Sequence, residues 1–436
     1  MRCLCPRACR LVPLLAFTLI ACGGRDVLPD AGFGILDGSG VGIDAGRDAG
    51  SDAGSDAGAD AGAEVGTDAG PDRCADVSCT PSDACHDSTC DPATGACVER
   101  EATDGRACDD GDPCTASTCL AGACSGSDPA VDGTPCPCGA CVAGACGLRD
   151  LGPTSPASGT ATPISLVVHD TNAFIGNSYG GTTGDGSITS LPVAGGTPTA
   201  LASGFTGYPH LTVVGGTVYY TQAASVWRVP ADGSEAATTL HIGAGDHYSG
   251  LTSDGVRLYL TSADGGTVSS MPFAGGAPTT IAAGEARPLE IITDGTQLYW
   301  VASGDGTIRT APVTGSSATT LVTGTAPRAL AIDADNLYWT ESTAGDVMQM
   351  ALTGGAPTTI ATGQADPAAI MLLGGRVYWT NYNGGVYGDV RSAPIGGGAA
   401  ATVAGRPFAP AALAHDAACI YVLHAGNGSV SSAPAF

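Results

Sequence analysis

The stretch PRALAIDADNLYWTESTAGDVMQMALTGGAPTTIATG, residues 327–363, decides the fold of this chain. It contains four short segments with the residue types of β-strands, separated by turn residues such as Asp335-Asn336 and Gly354-Gly355. The predicted strands are residues 329–333, 337–340, 345–350 and 357–361. We predict that they form one four-stranded antiparallel sheet with tight hairpin turns.

An aromatic residue in the second of these strands recurs at intervals of about 40 residues. The seven positions are Phe174, Tyr219, Tyr259, Tyr299, Tyr338, Tyr378 and Tyr421. A unit of this length cannot bury both faces of its own sheet, so it must pack against copies of itself. Four antiparallel strands per unit predict an all-β fold, a seven-bladed β-propeller over residues 150–436.

The two ends of the repeat region complement each other. The last unit stops after its third predicted strand, and residues 152–158 echo the outer strand of residues 356–363. We therefore predict that residues 152–158 supply the missing strand of the last blade. This N-terminal strand would close the ring and remove two exposed sheet edges.

The YWTD repeat of lipoprotein-receptor propellers resembles two sequences in this region, Tyr338-Trp-Thr-Glu341 and Tyr378-Trp-Thr-Asn381. The fourth position holds Glu or Asn where that family has Asp. The resemblance implies a propeller fold, and its aromatic pairs imply packing between neighbouring blades.

The N-terminal residues 1–21 have the form of a lipoprotein signal peptide. Arg2, Arg7 and Arg10 precede an apolar run that is shorter than the roughly 20 residues of a bilayer span. The sequence Leu-Ile-Ala-Cys-Gly that ends this run resembles a bacterial lipobox. The resemblance implies that Cys22 becomes the lipidated first residue, anchored in the outer membrane or at the cell surface; cleavage without lipid is the alternative.

Two segments separate this anchor from the repeats. Residues 22–73 are dominated by Asp-Ala-Gly and hold little apolar surface to bury, which predicts a disordered acidic tether. Residues 74–148 are rich in cysteine, which in an exported segment predicts a disulfide framework. Beside Cys74, which precedes them, three groups of four have similar spacing: Cys79, Cys85, Cys90 and Cys97; Cys108, Cys114, Cys119 and Cys124; and Cys136, Cys138, Cys141 and Cys146.

Other interpretations of this segment remain open at the level of sequence. Cys138 and Cys141 could form a redox pair or half of a zinc site, and the acidic loop at residues 109–112 could bind calcium. The segment has 13 cysteines, so one is left over. We predict that Cys419, which lies in an apolar strand of the repeats, is a buried free thiol.

The composition restricts the partners of the protein. The formal charge is −25, with 42 acidic residues against 17 basic ones, and every basic residue is arginine. Nucleic acids and anionic membrane surfaces require clustered basic residues, so neither is a predicted partner, and the lipid anchor alone would attach the chain to a membrane. Without lysine, the chain has no lysine nucleophile.

The position nine residues before each repeated aromatic lies near the start of the innermost predicted strand. These starts surround one mouth of the central channel of a propeller. The residues at this position are Ser165, His210, Gly250, Glu290, Ala329, Ala369 and Ala412. A histidine with a carboxylate is the minimum for acid–base chemistry or for a metal, so His210 and Glu290 are the candidates for a catalytic site. Adjacent loops hold Arg287, Arg328, His247 and Asp366.

Because alanine and glycine dominate this ring, we predict a non-enzymatic lipoprotein whose propeller binds a protein, peptide or glycan. No catalytic residue, metal or cofactor is assigned, calcium being the alternative, and the protein is predicted to be a monomer. A second hypothesis is an extracytoplasmic hydrolase or lyase with a metal-assisted site at the channel mouth. Such an enzyme would resemble lactonase-like propellers, which use a divalent metal there. A purely structural component of the cell envelope is the third.

Overall fold

The computed structural model describes residues 73–142, 145–155, 162–178, 186–243, 247–324 and 326–435. These residues belong to one compact unit, residues 71–436. Their regular elements are all strands, so this part of the chain has no helix that could cross a membrane. The predicted signal peptide, the lipidation site Cys22 and nearly all of the predicted tether lie outside the described residues.

The cysteine-rich segment forms short antiparallel hairpins. Its strands are β1 (His86–Cys90), β2 (Cys97–Glu101), β3 (Thr115–Leu120), β4 (Ala123–Pro129), β5 (Pro135–Cys136), β6 (Gly139–Val142) and β7 (Ala145–Pro153). β1 pairs with β2, β3 with β4, and β6 with both β5 and β7. Few apolar side chains are buried here, and disulfides supply most of the cross-links that such a small core requires.

The disulfides follow a regular pattern that the cysteine spacing did not disclose. In each group of four, the first cysteine pairs with the fourth, and the second pairs with the third cysteine of the next group. The first rule gives Cys79–Cys97, Cys108–Cys124 and Cys136–Cys146, and the second gives Cys85–Cys119 and Cys114–Cys141. At the two ends of the series, Cys74 pairs with Cys90 and Cys138 pairs with Cys419.

The remaining strands form a β-propeller, as the sequence predicts. Seven sheets follow one another along the described residues, and we call them blades 1 to 7. Their strands are, for blade 1, β8 (Thr162–His169), β9 (Asn172–Ser178), β10 (Gly186–Pro192) and β11 (Thr199–Phe205); for blade 2, β12 (Leu211–Val214), β13 (Thr217–Gln222), β14 (Ser225–Pro230) and β15 (Thr238–Ile242); for blade 3, β16 (Tyr248–Ser253), β17 (Arg257–Ser262), β18 (Thr267–Pro272) and β19 (Thr279–Ala283); for blade 4, β20 (Pro288–Thr293), β21 (Gln297–Ala302), β22 (Thr307–Pro312) and β23 (Thr319–Thr323); for blade 5, β24 (Pro327–Ile332), β25 (Asn336–Glu341), β26 (Asp346–Ala351) and β27 (Thr358–Ala361); for blade 6, β28 (Pro367–Leu373), β29 (Arg376–Asn381), β30 (Tyr387–Pro394) and β31 (Ala401–Phe408); and for blade 7, β32 (Pro410–His415), β33 (Cys419–His424) and β34 (Ser429–Pro434).

The core lies between blades. Trp339 of blade 5 is buried in a cluster with Tyr299 and Val301 of blade 4, and Trp379 of blade 6 is buried with Tyr338 of blade 5. Blade 7 packs against blade 1 in the same way, through a cluster that includes Tyr421, Leu423, Leu166 and Ile175. The aromatic repeat therefore reports blade-to-blade packing, and the last blade closes on the first.

The strand that completes blade 7 comes from the cysteine-rich segment, earlier in the chain than we predicted. β7 pairs with β34 through residues 149–153, with Arg149 opposite Ser432 and Pro153 opposite Ser429. The prediction of residues 152–158 was therefore confirmed in part: residues 152 and 153 pair with β34, but the pairing begins earlier, at Arg149. Residues 156–158 lie outside the described part. The physical reason is that β7 already pairs with β6 in a disulfide-linked hairpin, so one continuous strand serves both structures. The sheet of blade 7 has the order β32-β33-β34-β7-β6-β5.

Cys419 is not the free thiol that we predicted. It begins β33 and forms a disulfide with Cys138, 281 residues away in the sequence. The cysteine left over in the N-terminal segment thus finds its partner in the propeller. This bond also corrects the alternative reading of Cys138 and Cys141 as a redox pair or zinc half-site, because Cys141 is bonded to Cys114.

The acidic loop beside the second cysteine group uses its carboxylates locally. Asp109, Asp110 and Asp112 each accept a hydrogen bond from a backbone amide two residues ahead, at 2.8 to 3.0 Å. Among the described residues, the clusters of side chains close enough to hold a metal ion do not include these three aspartates.

Candidate functional site at the channel mouth

The innermost strands surround a central cavity of about 420 Å³. All seven blades contribute to its wall, through the first strand of each. The wall includes every residue of the ring position predicted from the sequence: Ser165, His210, Gly250, Glu290, Ala329, Ala369 and Ala412. Counting nine residues back from each repeated aromatic was therefore sufficient to locate the wall of the channel.

Hydrogen bonds between blades fix the inner strands in register. The Thr340 hydroxyl donates to the carbonyl of Ala368 at 2.9 Å, and the Thr261 hydroxyl donates to the carbonyl of Leu289 at 2.6 Å. Within blade 5, the Thr340 hydroxyl oxygen also accepts a hydrogen bond from the backbone amide of Ala329. The third residue of the Tyr-Trp-Thr pattern thus links consecutive blades and holds the backbone beside the ring position.

The fourth residue of that pattern acts within its own blade. Glu341 accepts hydrogen bonds from the indole nitrogen of Trp339 at 2.8 Å and from the backbone amide of Ala326 at 2.7 Å. In blade 4 the equivalent indole, Trp300, donates to Glu285, whose buried carboxylate also contacts Arg309 at 3.2 Å. These carboxylates are compensated, so they are structural groups.

Glu290 is different, because the described residues provide no hydrogen-bond donor or ion-pair partner for its carboxylate. The residue is half-buried and lines the central cavity. This burial raises the pKa of Glu290 to about 7, against an ordinary value of 4.5. At neutral pH the carboxyl group is therefore divided between its protonated and charged forms.

His210 faces the same cavity from blade 2. Its ring makes no hydrogen bond within the described residues, although its backbone amide donates to Thr221 at 3.0 Å. Burial lowers the pKa of His210 to about 4, so the ring is neutral at physiological pH. The two polar ring residues found from the sequence are thus both on the wall of one cavity and both available to a ligand.

A second cavity of about 360 Å³ lies at the mouth of the channel. It shares His210, Glu290 and Arg328 with the central cavity. Its rim adds aromatic and polar side chains, which are Tyr208, His247, Tyr248 and Ser249. Tyr208 is 67% exposed, which leaves much of its ring open to a ligand.

The loop residues predicted to join the site are placed unevenly. Arg328 forms an ion pair with Asp366 at 3.2 Å, and His247 contacts Asp264 at 3.1 Å. Arg287 is exposed and does not line either cavity. Arg328 and His247 therefore belong to the mouth, Asp366 supports Arg328 from the next loop, and Arg287 is outside the site.

Sequence reasoning missed a second repeated feature, an aspartate five residues before the aromatic. The tyrosine hydroxyl donates to this aspartate in four blades, at 2.7 to 3.0 Å. The pairs are Tyr259 with Asp254, Tyr299 with Asp294, Tyr338 with Asp333 and Tyr421 with Asp416. The sequence shows this aspartate five residues before four of the repeated aromatics, so the pattern could have been found. The aspartate lies in the turn between the first two strands of a blade.

Comparison with known proteins supports the fold. No protein-family model and no curated protein sequence matches the chain. Among solved structures, virginiamycin B lyase from Staphylococcus aureus matches with a TM-score of 0.55 and 15% identity, over 66% of this chain and 99% of that one. A streptogramin B lyase matches with a TM-score of 0.54 and 14% identity, over 66% and 96% of the two chains. The WD40 repeats of RRP9 match with a TM-score of 0.53 and 16% identity, over 66% and 97%. At these identities the similarity shows a β-propeller and nothing about activity.

Proposed function

We propose that the protein is a membrane-anchored, extracytoplasmic binding module whose ligand enters the mouth of the propeller channel. The observation that carries the proposal is the pair of cavities that share His210 and Glu290, two polar side chains without a hydrogen-bond or ion-pair partner among the described residues. Cavities of this size, lined mainly by apolar residues with a few convergent polar groups, are typical of ligand sites. The ligand is a small molecule or the exposed end of a protein, peptide or glycan.

The hydroxyl groups around the mouth favour binding over covalent catalysis. Ser165 donates to the carbonyl of Pro209 at 2.7 Å, and Ser249 donates to the carbonyl of Pro288 at 2.7 Å. Both serines therefore hold one blade against the next. Neither has a histidine base among its hydrogen-bond partners, which an activated nucleophile requires.

A channel-filling variant tests the proposal. We expect Ala369→Trp to block the cavity, because Ala369 lines the channel wall and an indole in its place would occupy part of the cavity volume. A thermal-shift screen of small molecules, peptides and glycans should yield ligands that stabilise the natural protein and not this variant. Ala356→Trp, in an exposed hairpin, is the matched control and should bind normally. Ligands that stabilise all three proteins equally would contradict the proposal.

A lyase or hydrolase is the second candidate, and the pKa of Glu290 favours it. A carboxyl group with a pKa near the working pH is suited to general acid–base catalysis, and Glu290 is held at about 7. Two propellers of similar fold are named as lyases of virginiamycin B and streptogramin B. Incubating the protein with virginiamycin B, with and without divalent metal, separates the candidates. Turnover that Glu290→Gln abolishes would establish the enzyme, whereas the binding proposal predicts no turnover.

The cellular location in this proposal rests on two features. Seven disulfides are typical of an oxidising compartment outside the cytoplasm. The lipobox-like sequence around Cys22 supplies the anchor to the outer membrane or cell surface, and the acidic segment after it supplies the tether. We propose a monomer, with no nucleic-acid partner.

A further inference from the structure

The polar groups of the channel mouth differ in whether the protein already compensates them. Arg328 is paired with Asp366, and His247 is paired with Asp264. In each pair the two side chains already contact one another. His210 is a neutral ring. Glu290 is the one carboxylate on the shared wall of the two cavities that the described residues leave without a donor.

Glu290 is half-buried on this wall, so its carboxylate loses part of its hydration without gaining a hydrogen bond from the described residues. Loss of its hydration is unfavourable for the charged form unless a partner arrives. The partner that satisfies a carboxylate best is a cation that carries N–H groups. The formal charge of −25 adds a field that concentrates cations near the surface.

The residues around Glu290 suit both the ammonium group and the alkyl chain of an organic cation. The rim carries two tyrosine rings, Tyr208 and Tyr248, and aromatic faces attract ammonium groups. The part of the central cavity that blades 5, 6 and 7 form is lined largely by alanine: Ala329, Ala368, Ala369, Ala411 and Ala412. A short alkyl chain can lie against this wall while its charged end remains near the carboxylate.

We propose that the channel mouth binds an organic ammonium ion with N–H donors, which places its charged group against the Glu290 carboxylate and its alkyl body against the alanine wall. This inference rests on the proposed binding function and names the chemistry of its ligand. A free alkylamine and a lysine side chain of a peptide share this chemistry, and the chain itself has no lysine that could occupy the site.

Calorimetric titration in phosphate buffer at pH 8 tests the inference. The probes are n-butylammonium, Nα-acetyl-lysine amide and tetramethylammonium, which has the charge without N–H donors. We expect saturable binding of n-butylammonium and binding of tetramethylammonium that is about tenfold weaker. Binding of the capped lysine would identify a peptide side chain as sufficient, and its failure beside n-butylammonium binding would restrict the site to free amines.

Two variants make the test specific. Glu290→Gln should weaken n-butylammonium binding about tenfold or more, because it removes the charge and keeps the shape. Glu235→Gln makes the same charge change at an exposed residue of blade 2 and should leave binding unaltered. Thermal melts establish that both variants fold. Equal binding by Glu290→Gln and the natural protein would overturn the inference.

The outcome also separates this inference from the proposed function. If n-butylammonium does not bind but other compounds bind in a manner that Ala369→Trp abolishes, the ammonium assignment fails and the channel remains a binding site. If no compound of any class is sensitive to Ala369→Trp, both fail.

Discussion

At the scale of single residues, the hydrogen bond between an aspartate and the repeated tyrosine is the interaction that recurs most clearly from blade to blade. Partial burial favours the neutral form of Asp333, but hydrogen bonds from Tyr338 and from the amides of Asp335 and Asn336 outweigh it and hold the pKa of Asp333 below its ordinary 3.8. The folded state therefore favours the charged carboxylate. Its stabilising effect is present above the unfolded pKa and is lost as the pH falls through the lower, folded pKa.

We predict that Tyr338→Phe lowers the free energy of unfolding by about 2 kcal/mol at neutral pH, the range for a hydrogen bond to a charged group. The loss should shrink as the pH falls from about 4 through the lower, folded pKa of Asp333, below which the carboxylate is protonated in both states. Tyr219→Phe is the matched control, since the described residues offer its hydroxyl no hydrogen bond and five residues before it stands Val214. Denaturant melts from pH 3 to pH 8 measure both, and equal losses in the two variants would contradict the assignment.

Glu290 should show the opposite pH dependence. Its pKa is raised from 4.5 to about 7, so the charged form is disfavoured in the folded state and stability falls as the pH rises between these values. We predict that Glu290→Gln removes this decline and stabilises the protein at pH 8, on the order of 1 to 3 kcal/mol. Glu285→Gln should destabilise instead, because Glu285 is paired with Trp300 and Arg309. A loss of stability in Glu290→Gln at pH 8 would show that the carboxylate has a partner.

At the scale of elements, one strand and one disulfide join the cysteine-rich segment to the propeller. β7 is shared by a hairpin of the segment and by blade 7, and Cys138 is bonded to Cys419 at the start of β33. Closing a loop of this length restricts the unfolded chain strongly. Through these two connections, the stability of blade 7 depends on the cysteine-rich segment, which precedes blade 1 in the sequence.

We predict that replacing Cys138 and Cys419 together with serine lowers the free energy of unfolding by about 2 to 5 kcal/mol. Both must be replaced, because a single change leaves a free thiol. Replacing Cys74 and Cys90 is the control: that disulfide lies at the far end of the segment, and the propeller transition should remain unchanged. Peptide mapping of the natural protein should recover a Cys138–Cys419 peptide, and a free Cys419 thiol would contradict the structure.

The elements also show how much the sequence could predict. The strands of blade 5 were predicted to within one or two residues, because apolar runs and Gly-Gly turns mark them directly. The ring of residues on the channel wall followed from the same period. The start of the closing strand was misplaced because its pattern resembles that of residues 356–363 only loosely, whereas its true position is set by pairing with β6. Disulfide connectivity depends on three-dimensional proximity, so spacing alone could not identify Cys419 as a partner.

At the scale of the whole molecule, the order of the segments along the sequence is the feature to explain. The predicted anchor and tether precede a disulfide-linked segment, and that segment is built into the ring whose channel mouth carries Glu290 and His210. The propeller closes through packing of blade 7 on blade 1. A closed ring of blades leaves only the short outer edges of the blades unpaired and supports a rigid cavity at its centre.

We predict that Cys22→Ser releases the protein from the membrane fraction into the soluble extracytoplasmic fraction, because the acyl chains are the proposed attachment. Fractionation and mass spectrometry of the mature N-terminus measure this. A variant at Cys74, which is bonded to Cys90 within the disulfide framework, should stay with the membrane. Retention of Cys22→Ser in the membrane, or an unmodified Cys22 in the natural protein, would refute the anchor.

Our main conclusion is that the channel wall carries a carboxylate, that of Glu290, without a hydrogen-bond or ion-pair partner among the described residues. Carbon-13 NMR titration of glutamate side-chain carboxyls, with Glu290→Gln to assign the resonance, tests it most directly. We expect a pKa of about 7 for Glu290 in the ligand-free protein, and we expect this pKa to fall when n-butylammonium is added. A pKa near 4.5 that does not respond to the amine would contradict it.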